Sequence, residues 1–468
     1  MIVPSPDRVR TRLRHSRSAL AHSVSATAWR GALEVRRADP TTAVALRVGL
    51  AILIVLVAGG LSGQTEVAGF AALGALASAF LRYEPYPRLA RRLAGVAGLI
   101  VAHTAFGAML GVTGAGIWTQ VLGVSVAAAL VYWVVQVAGV TGPGPVVMIF
   151  AATGAAGYAD TVADAGYATA ASAVGGLVGW LVAMAPMLTH PHGPSRVAVA
   201  RALAAVSAVE QHGSDAIPAA REAIARARDT LACTPPRRLD RHVLELIALV
   251  DAAETALDGR GPQATEREDF ARIEAALRKA RSDIRTPRVD PAAVGLPASH
   301  SRELRRPAAD RRLWSGAARV GFASLLSGGL AAAFGLSHPL WAILGAIATL
   351  QGVNYSHTVQ RGIQRLLGNA AGAVLAGAFL ATDPGYWPLI AAAVACQTGA
   401  ELTVTRNYAA ATTCVTGMAL LLTALGDPVG PGVAAARVGD TLIGVAIGIV
   451  LAALTIRGDD RFHLRTGR

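Results

Sequence analysis

Long apolar stretches without any charged residue alternate with short polar turns along most of the chain. No Asp, Glu, Lys or Arg occurs between Arg92 and Asp160, or between Arg319 and Arg361. A soluble protein cannot present such stretches to water, whereas a bilayer requires about 20 consecutive apolar residues for each helix that crosses it. The pattern therefore predicts an all-α integral membrane protein.

The apolar stretches divide into two sets of about six segments, which are separated by Gly- and Pro-rich turns. Segments 67–81 and 145–159 are short for a complete span, so we expect them to be tilted, kinked or covered by neighbouring helices. The segments of the first set are 43–62, 67–81, 93–111, 116–138, 145–159 and 167–189. Those of the second set are 314–335, 338–353, 362–382, 385–400, 407–425 and 433–456.

The second set repeats landmarks of the first set in the same order and at nearly the same spacing. Arg47-Val48-Gly49 corresponds to Arg319-Val320-Gly321, and a Leu-Gly-Ala tripeptide and an Arg-Leu-x-Gly turn follow in both sets. Internal repeats of apolar helices are typical of transporters, whose substrate path lies where the repeats meet. Because each set has an even number of segments, the sequence predicts two parallel repeats of about six transmembrane helices.

The charged residues divide between the two sides of the membrane that this topology creates. With the N-terminus inside, the inner connections carry arginines and the outer connections carry only acidic charges. Arg and Lys are enriched in cytoplasmic loops, so both termini are predicted to be cytoplasmic in a bacterial-type cell membrane. The predicted domains are a basic tail at 1–40, transmembrane repeats at 41–189 and 313–456, a cytoplasmic helical segment with a linker at 190–312, and a C-terminal tail at 457–468.

Residues 190–312 differ completely in character from the apolar sets on either side. Runs such as 221–226 and 266–277 combine a helical spacing of apolar residues with mixed charge. The pattern predicts roughly three or four amphipathic helices. Such helices would serve either as a connector that packs the two halves together or as a surface for regulation, for a cytoplasmic partner or for a homo-oligomer.

Composition supports the membrane assignment and removes several other classes of protein. Hydrophobic residues make up 53% of the chain, charged residues make up 16%, and the net charge is +13. The positive charge lies where the positive-inside rule predicts it, so no nucleic-acid partner is expected. Cys233, Cys396 and Cys414 lack metal-ligand spacing, and the chain has no phosphate-binding loop, paired-His helix or nucleophile elbow. We therefore predict no enzyme activity, no cofactor and no metal.

Polar residues inside apolar helices are costly in a membrane and are therefore candidates for function. Arg361, Arg365 and Asn369 are spaced four residues apart and share one face of a helix. The two guanidinium groups would gather an anionic substrate at a cytoplasmic mouth, or they would anchor lipid headgroups instead. Asn369 lies deeper, where anchoring explains it less well, so it is predicted to line the substrate path.

A second group of polar residues surrounds the connection between segments 385–400 and 407–425. Gln397 and Glu401 are one helical turn apart, and Arg406 and Tyr408 follow. Glu401 would either carry a coupled proton or form a structural ion pair with Arg406. Tyr408 begins a polar stripe at helical spacing and is predicted to line the path for substrate.

The last apolar segment contains Arg437 and Asp440, which are three residues apart and therefore lie on one helical face. A mutually neutralised ion pair is the least costly way to keep two such charges within a membrane. The pair would be structural, or Asp440 would be a proton-coupled switch that is alternately protonated and paired. Arg437 is also predicted to contact substrate.

At these residues the chain resembles the fusaric acid resistance family, which is related to the aromatic acid exporters. The resemblance is strongest in the second half, at residues 338–342, 361–368, 406–409 and 437–444, and the first half lacks a counterpart of Asp440. The resemblance implies proton-driven efflux of small, often aromatic, carboxylates. A more distant similarity to plant malate channels implies a passive channel.

These observations leave three hypotheses for function. The first is a proton-driven exporter of small organic anions that uses the substrate-contacting and proton-coupling residues named above. The second is a passive anion channel with the same basic mouth, and the third is a non-transporting membrane scaffold or sensor that acts through residues 190–312. The major facilitator class is a weaker rival, because its charged loop motif is absent between Arg82 and Arg92.

Overall fold

Helices form all of the regular secondary structure in the part of the chain that the computed structural model describes. An all-α protein is therefore confirmed. The predicted tail at 457–468, and residues 1–18 and 36–40 of the predicted tail at 1–40, lie outside the described residues. The described residues are 19–35, 41–233, 241–258, 264–279, 310–352, 354–426 and 431–455.

The helices fall into an N-terminal group, a central group and a C-terminal group. The N-terminal helices are α1 (Ala26–Leu33), α2 (Thr42–Leu61), α3 (Thr65–Ala75), α4 (Tyr86–Val112), α5 (Ile117–Val137), α6 (Val146–Ala156) and α7 (Val162–Met184). The central helices are α8 (Pro186–Thr189), α9 (Gly193–His212), α10 (Ile217–Ala232), α11 (Arg241–Leu257) and α12 (Ala264–Arg278). The C-terminal helices are α13 (Arg311–Ala333), α14 (Leu340–Leu350), α15 (Tyr355–Leu380), α16 (Tyr386–Thr403), α17 (Tyr408–Thr423) and α18 (Pro431–Leu454).

Six of the described helical stretches are long and apolar enough to cross a membrane. They are α2, α4, α5, α7 continued through α8, α15 and the greater part of α18. Four shorter apolar stretches are Thr65–Ala79, Val146–Ala156, Leu340–Leu350 and Tyr408–Thr423. Together with the charge-free stretches of sequence, these helices make the chain a multi-pass membrane protein. The arrangement as two parallel repeats of about six spans stays a prediction, since α13 and α16 are not among the six.

The short helix α14 forms the most completely enclosed part of the membrane helices. Every one of its 11 residues is buried, although the helix is too short to cross a bilayer. It packs against α13, α15 and α18, and also against α6 from the first half of the chain. A short apolar helix of this kind is stable in a membrane because neighbouring helices cover its ends.

A close crossing between a short helix and a long helix is built in the same way in both halves. Gly444 of α18 has no room for a Cβ, because the carbonyl oxygen of Ala342 in α14 occupies that position. Gly175 of α7 meets the carbonyl oxygen of Ala71 in α3 in the same way. Small residues permit such close approach of backbones within a bilayer. The two pairs have nearly the same sequence spacing, which agrees with the predicted repeat.

The amphipathic helices belong to a compact unit of their own. This unit consists of Leu81–Leu93 and Ala183–Arg306. The apolar faces of α9 to α12 form its core, which includes Leu203, Ile224 and Leu246. The amphipathic helices predicted for the central segment are therefore present in the described residues, and they bury their apolar faces against one another.

Ionic and aromatic contacts join the turn before α4, and the first residues of α4 itself, to the helices of this unit. Arg88 donates from Nη1 and Nη2 to the two carboxylate oxygens of Asp229 at 2.6 and 2.9 Å. Arg88 Nη2 also donates to Cys233 Sγ at 2.8 Å, and the Arg201 guanidinium lies 3.6 Å from the ring centroid of Tyr83. Burial raises the pKa of the Cys233 thiol, although Arg88 opposes that shift. Because bidentate pairs are strong and directional, Arg88 fixes the start of α4 against α10 within this unit.

Residues 19–35, which we term the N-terminal strap, lie against the N-terminal ends of α15 and α17. The side-chain amide of Gln364 in α15 donates to the Ala32 carbonyl oxygen at 2.7 Å, and this hydrogen bond is buried. Asn407, just before α17, donates from Nδ2 to the Glu34 carbonyl oxygen at 3.1 Å. The strap therefore ties the beginnings of two helices to each other.

Replacing Gln364 with Ala is expected to loosen the strap, because the buried Ala32 carbonyl would lose its partner at a cost of about 1–3 kcal/mol. Trypsin should then cleave at the exposed Arg30 about tenfold faster than in the wild type, since cleavage follows local opening. Gln136→Ala provides the matched control, because the Gln136 side chain is exposed. Equal cleavage rates in both variants would show that the Gln364 bond does not hold the strap.

Candidate functional site

One polar face of α15 brings three of the predicted residues into line. The helix begins at Tyr355 because Asn354 caps it, with Oδ1 accepting the backbone N–H of His357 at 2.8 Å. Arg361, Arg365 and Asn369 follow at intervals of four residues and therefore lie one above another. Arg365 is 6% exposed and Asn369 is 1% exposed, so two of the three are enclosed by protein.

Arg361 binds both the C-terminal end of α14 and the ring of Tyr408. Its Nε donates to the Ala348 carbonyl oxygen and its Nη2 donates to Gln351 Oε1, each at 3.3 Å. Its guanidinium carbon lies 4.0 Å from the ring centroid of Tyr408. A cation is favourable at a helix C-terminus and over an aromatic face, so Arg361 stabilises this junction electrostatically. The structure thus brings Arg361 and Tyr408 together.

Asn369 connects three helices. Its Nδ2 donates to Thr441 Oγ1 of α18, and its Oδ1 accepts from Thr416 Oγ1 of α17 at 2.6 Å. Both ends of the amide are therefore engaged by neighbouring helices. Hydrogen bonds of this kind hold membrane helices in a defined arrangement. Asn369 lies within the predicted site, and its observed contacts position α17 and α18 against α15.

Arg437 of α18 is enclosed by aromatic rings from two other helices. Its guanidinium carbon lies 4.4 Å from the ring centroid of Trp341 in α14 and 5.6 Å from that of Phe150 in α6. The side chain is 5% exposed, and Arg365 is close enough to act on it electrostatically. Aromatic faces stabilise a cation electrostatically. Unlike a carboxylate, they do not accept strong, directional hydrogen bonds from it.

Asp440 is fully buried, and neither of its carboxylate oxygens has a hydrogen-bond partner among the described residues. The direct ion pair predicted between Arg437 and Asp440 is therefore not formed, which corrects the expectation from sequence. The reason is that Arg437 extends towards the rings of Trp341 and Phe150 rather than towards the carboxylate one turn away. Spacing on one helical face allowed the pair but did not require it.

Glu401 lies near the end of α16 and is 4% exposed. Its Oε1 accepts from Gln397 Nε2 at 3.1 Å, and its backbone carbonyl accepts from Thr41 Oγ1 at 2.8 Å. The predicted ion pair with Arg406 is not formed within the described chain, and the Arg406 side chain is exposed. The physical reason is that α16 ends at Thr403, so Arg406 lies in the following exposed turn, whereas Glu401 is buried within the helix.

The structure also reveals contributors that reasoning from the sequence did not select. Trp341 lies within a motif that carried the family resemblance, but nothing in the sequence connected its ring to Arg437. Phe150 comes from the first half of the chain and carries no chemical signal in the sequence.

Arg365 Nε, like the two oxygens of Asp440, is buried without a hydrogen-bond partner. Within the described ranges, no group of three or more His, Cys, Asp or Glu side chains is placed to hold a metal ion.

Residues 326–451 match a family model described as "Fusaric acid resistance protein-like". This match confirms the family resemblance. The matched region begins within α13 and ends within α18, so it includes every predicted site residue and also Trp341, but not Phe150. Its location agrees with the stronger resemblance of the second half.

The chain is also similar to the uncharacterized membrane protein YvaC of Bacillus subtilis (strain 168). The two are 35% identical over 122 residues, which is 26% of this chain and 19% of YvaC. The aligned region thus spans about a fifth of the length of that relative. No solved structure matches the chain. The similarity to YvaC supports the assignment of this chain as a membrane protein.

Proposed function

We propose that the protein is a secondary exporter of small organic anions whose transport is coupled to the proton gradient. The observation that carries this proposal is the pair of buried, opposite charges on α18, Arg437 and Asp440, which are not bonded to each other. An unpaired charge within a membrane is costly and is therefore a candidate for function by default. The family to which the second half is similar supports transport as that function.

Arg437 is the proposed anion-binding group. Its guanidinium lies beside the rings of Trp341 and Phe150, and it forms no ion pair with a carboxylate of the described chain. A guanidinium can bind a carboxylate through two parallel hydrogen bonds, which fixes the orientation of the ligand. The same aromatic rings provide apolar surface for the organic part of the anion. An aromatic carboxylate therefore matches both the charge and the apolar surface of the site.

The polar face of α15 is the proposed route to Arg437 from the N-terminal end of that helix. Each step from Arg361 to Arg365 and on to Asn369 advances about 6 Å along the helix axis. Arg361 and Tyr408 form the entrance, and Arg365 lies between the entrance and Arg437. With both termini cytoplasmic in a bacterial-type cell membrane, this entrance would open to the cytoplasm, as export requires.

Asp440 is the proposed proton carrier. When its carboxyl group gains or loses a proton, the charge near Arg437 changes by one elementary charge. Anion binding at Arg437 and protonation of Asp440 are then thermodynamically linked, and each alters the affinity for the other. Glu401, which is buried and hydrogen-bonded to Gln397, is the second candidate for the coupled proton.

Flux measurements on proteoliposomes test this proposal against its alternatives. A panel of benzoate, phthalate, succinate and benzenesulfonate would be assayed with a pH gradient imposed in either direction, with protein-free liposomes as the blank. Accumulation of an anion beyond its own electrochemical equilibrium supports the coupled transporter. Flux that only follows the electrochemical gradient would indicate a passive channel. No flux for any of these anions would favour a scaffold or sensor acting through residues 190–312.

Replacing Arg437 with Gln is expected to reduce anion flux by about tenfold or more, because a charge-assisted pair contributes about 1.5–3 kcal/mol. Arg406→Gln is the matched control, since Arg406 is exposed and forms no ion pair within the described chain. Initial rates of flux at fixed protein density would be compared for both variants and the wild type. Equal losses in the two variants would remove Arg437 from the binding site.

A further inference from the structure

His338 and Arg437 lie against the same indole ring. The imidazole of His338 stacks on Trp341 with the ring centroids 4.3 Å apart and the planes 12° from parallel. The guanidinium of Arg437 lies 4.4 Å from the ring centroid of the same Trp341. A titratable group and the proposed anion-binding cation are thus connected through one side chain.

Local sequence holds this arrangement in place. His338 precedes Pro339, which restricts the backbone of His338, and Pro339 is the N-cap of α14. The backbone N–H of Trp341 donates to the His338 carbonyl oxygen at 2.9 Å, which closes the turn between the two rings. Ser337 Oγ lies 2.9 Å from Nδ1 of the imidazole. The position of His338 beside Trp341 therefore depends on the turn as well as on the stacking.

The charge of His338 responds to Arg437. Burial, and then the positive charge of Arg437, lower the pKa of His338 below its ordinary value, which favours the neutral imidazole. Among the described residues, Arg437 of α18 is the charged group that acts on this imidazole, and Ser337 is the polar neighbour on its own turn. An anion bound to Arg437 would offset the positive charge that disfavours protonation of His338.

We propose that His338 is a positioning residue of the anion site, which takes up a proton when an organic anion binds to Arg437. The proposal rests on the proposed function, because it requires that Arg437 bind an anion. The proton comes from solvent and is held on a ring nitrogen of His338 as imidazolium. The imidazolium then adds a second positive charge near the bound anion, on the Trp341 ring that the guanidinium of Arg437 also contacts.

The sign of the linkage determines the expected pH dependence. If anion binding makes protonation of His338 more favourable, acidic pH must make anion binding more favourable by the same factor. Each unit of difference in pKa between the free and the bound state corresponds to a tenfold change in affinity. We therefore expect anion affinity to rise by about threefold to tenfold between pH 8 and pH 5.

Benzenesulfonate is a suitable probe, because it stays fully ionised over this range and any pH dependence belongs to the protein. Calorimetric titration of the full-length protein in lipid nanodiscs, in two buffers of different ionisation enthalpy, would measure affinity and proton uptake together. His338→Phe keeps an aromatic ring for the stack but cannot titrate, and His338→Gln provides a second variant without the ring. His190→Gln is the matched control, because His190 is exposed.

The expected result is binding by the wild type and by His190→Gln with a rise in affinity at acidic pH, and a smaller rise with less proton uptake in both His338 variants. The same pH profile and the same proton uptake in the His338 variants would overturn the inference and leave the proposed function intact. Absence of benzenesulfonate binding at every pH in the wild type would overturn the inference together with the anion site on which it rests.

Discussion

Replacing Asp440 with Asn is expected to abolish anion accumulation driven by a pH gradient, in whichever direction the gradient is imposed. Asn has nearly the same shape as Asp but cannot gain or lose a proton, so the charge of the site would no longer depend on pH. Asp440 is fully buried and its two oxygens have no partner among the described residues, so few existing contacts would be lost. Proteoliposome flux with and without the pH gradient measures the effect.

Exchange of labelled for unlabelled anion across the liposome membrane should continue in Asp440→Asn, because Arg437 remains in place. Asp383→Asn serves as the matched control, since Asp383 is exposed in the turn after α15. Normal accumulation in Asp440→Asn would assign the coupled proton elsewhere, with Glu401 as the next group to replace. Loss of exchange as well as accumulation would indicate that Asp440 is required for binding rather than for coupling.

Replacing Gly372 with Ala is expected to destabilise the protein by about 2 kcal/mol, because overpacking at a close contact forces backbone shifts. A Cβ at Gly372 would collide with the Thr413 carbonyl oxygen of α17 and would lie 2.8 Å from Thr416 Cβ. Gly368 of α15 meets the Ala409 carbonyl oxygen in the same way one turn earlier. The two glycines are four residues apart on one face of α15, which is the spacing of small residues that lets membrane helices approach closely.

A thermal unfolding measurement in detergent would detect the change as a lower Tm for Gly372→Ala. Gly439→Ala is the matched control in α18, because a Cβ at Gly439 would have no atom within 4 Å. Ala is the better helix former, so that control should be unchanged or slightly more stable, by up to about 1 kcal/mol. The same Tm in both variants would show that α15 and α17 can separate without loss of stability.

The two halves of the chain share a framework but not a buried charge. The carbonyl oxygens of Thr441 and Ser172 take the same place in the two close crossings, against Gly345 and Gly74 respectively. The residue before Ser172, which stands where Asp440 stands in the second half, is Ala171. The first half therefore contributes an apolar wall, including Phe150, to a site whose charges come from the second half.

Hydropathy located the helices well but placed some of their ends wrongly. Each predicted apolar segment overlaps at least one described helix. Segment 362–382 was expected to begin after Arg361, yet α15 begins at Tyr355. The cause is the cap at Asn354, which satisfies the first backbone N–H groups and so starts the helix before its apolar part. Arg361 is therefore inside the helix rather than in a polar turn.

Charge pairing was predicted less well than helix position. Spacing along one helix suggested a bond between Arg437 and Asp440, and spacing across a turn suggested a bond between Glu401 and Arg406. Neither forms in the described chain. A sequence shows which charges are near each other along the chain, but a helix from another part of the fold can offer a more favourable partner, as Trp341 does for Arg437.

The sequence by itself determined that this chain is an all-α, multi-pass membrane protein with its polar chemistry concentrated in the second half. Those properties follow from hydropathy, charge and local spacing, which act within one or two helical turns. Only the tertiary structure decided the environment of each charge. It placed Arg437 between α14 and α6, left Asp440 buried without a bond, and set His338 against Trp341. Packing decides such contacts, because it brings together residues that are far apart in sequence.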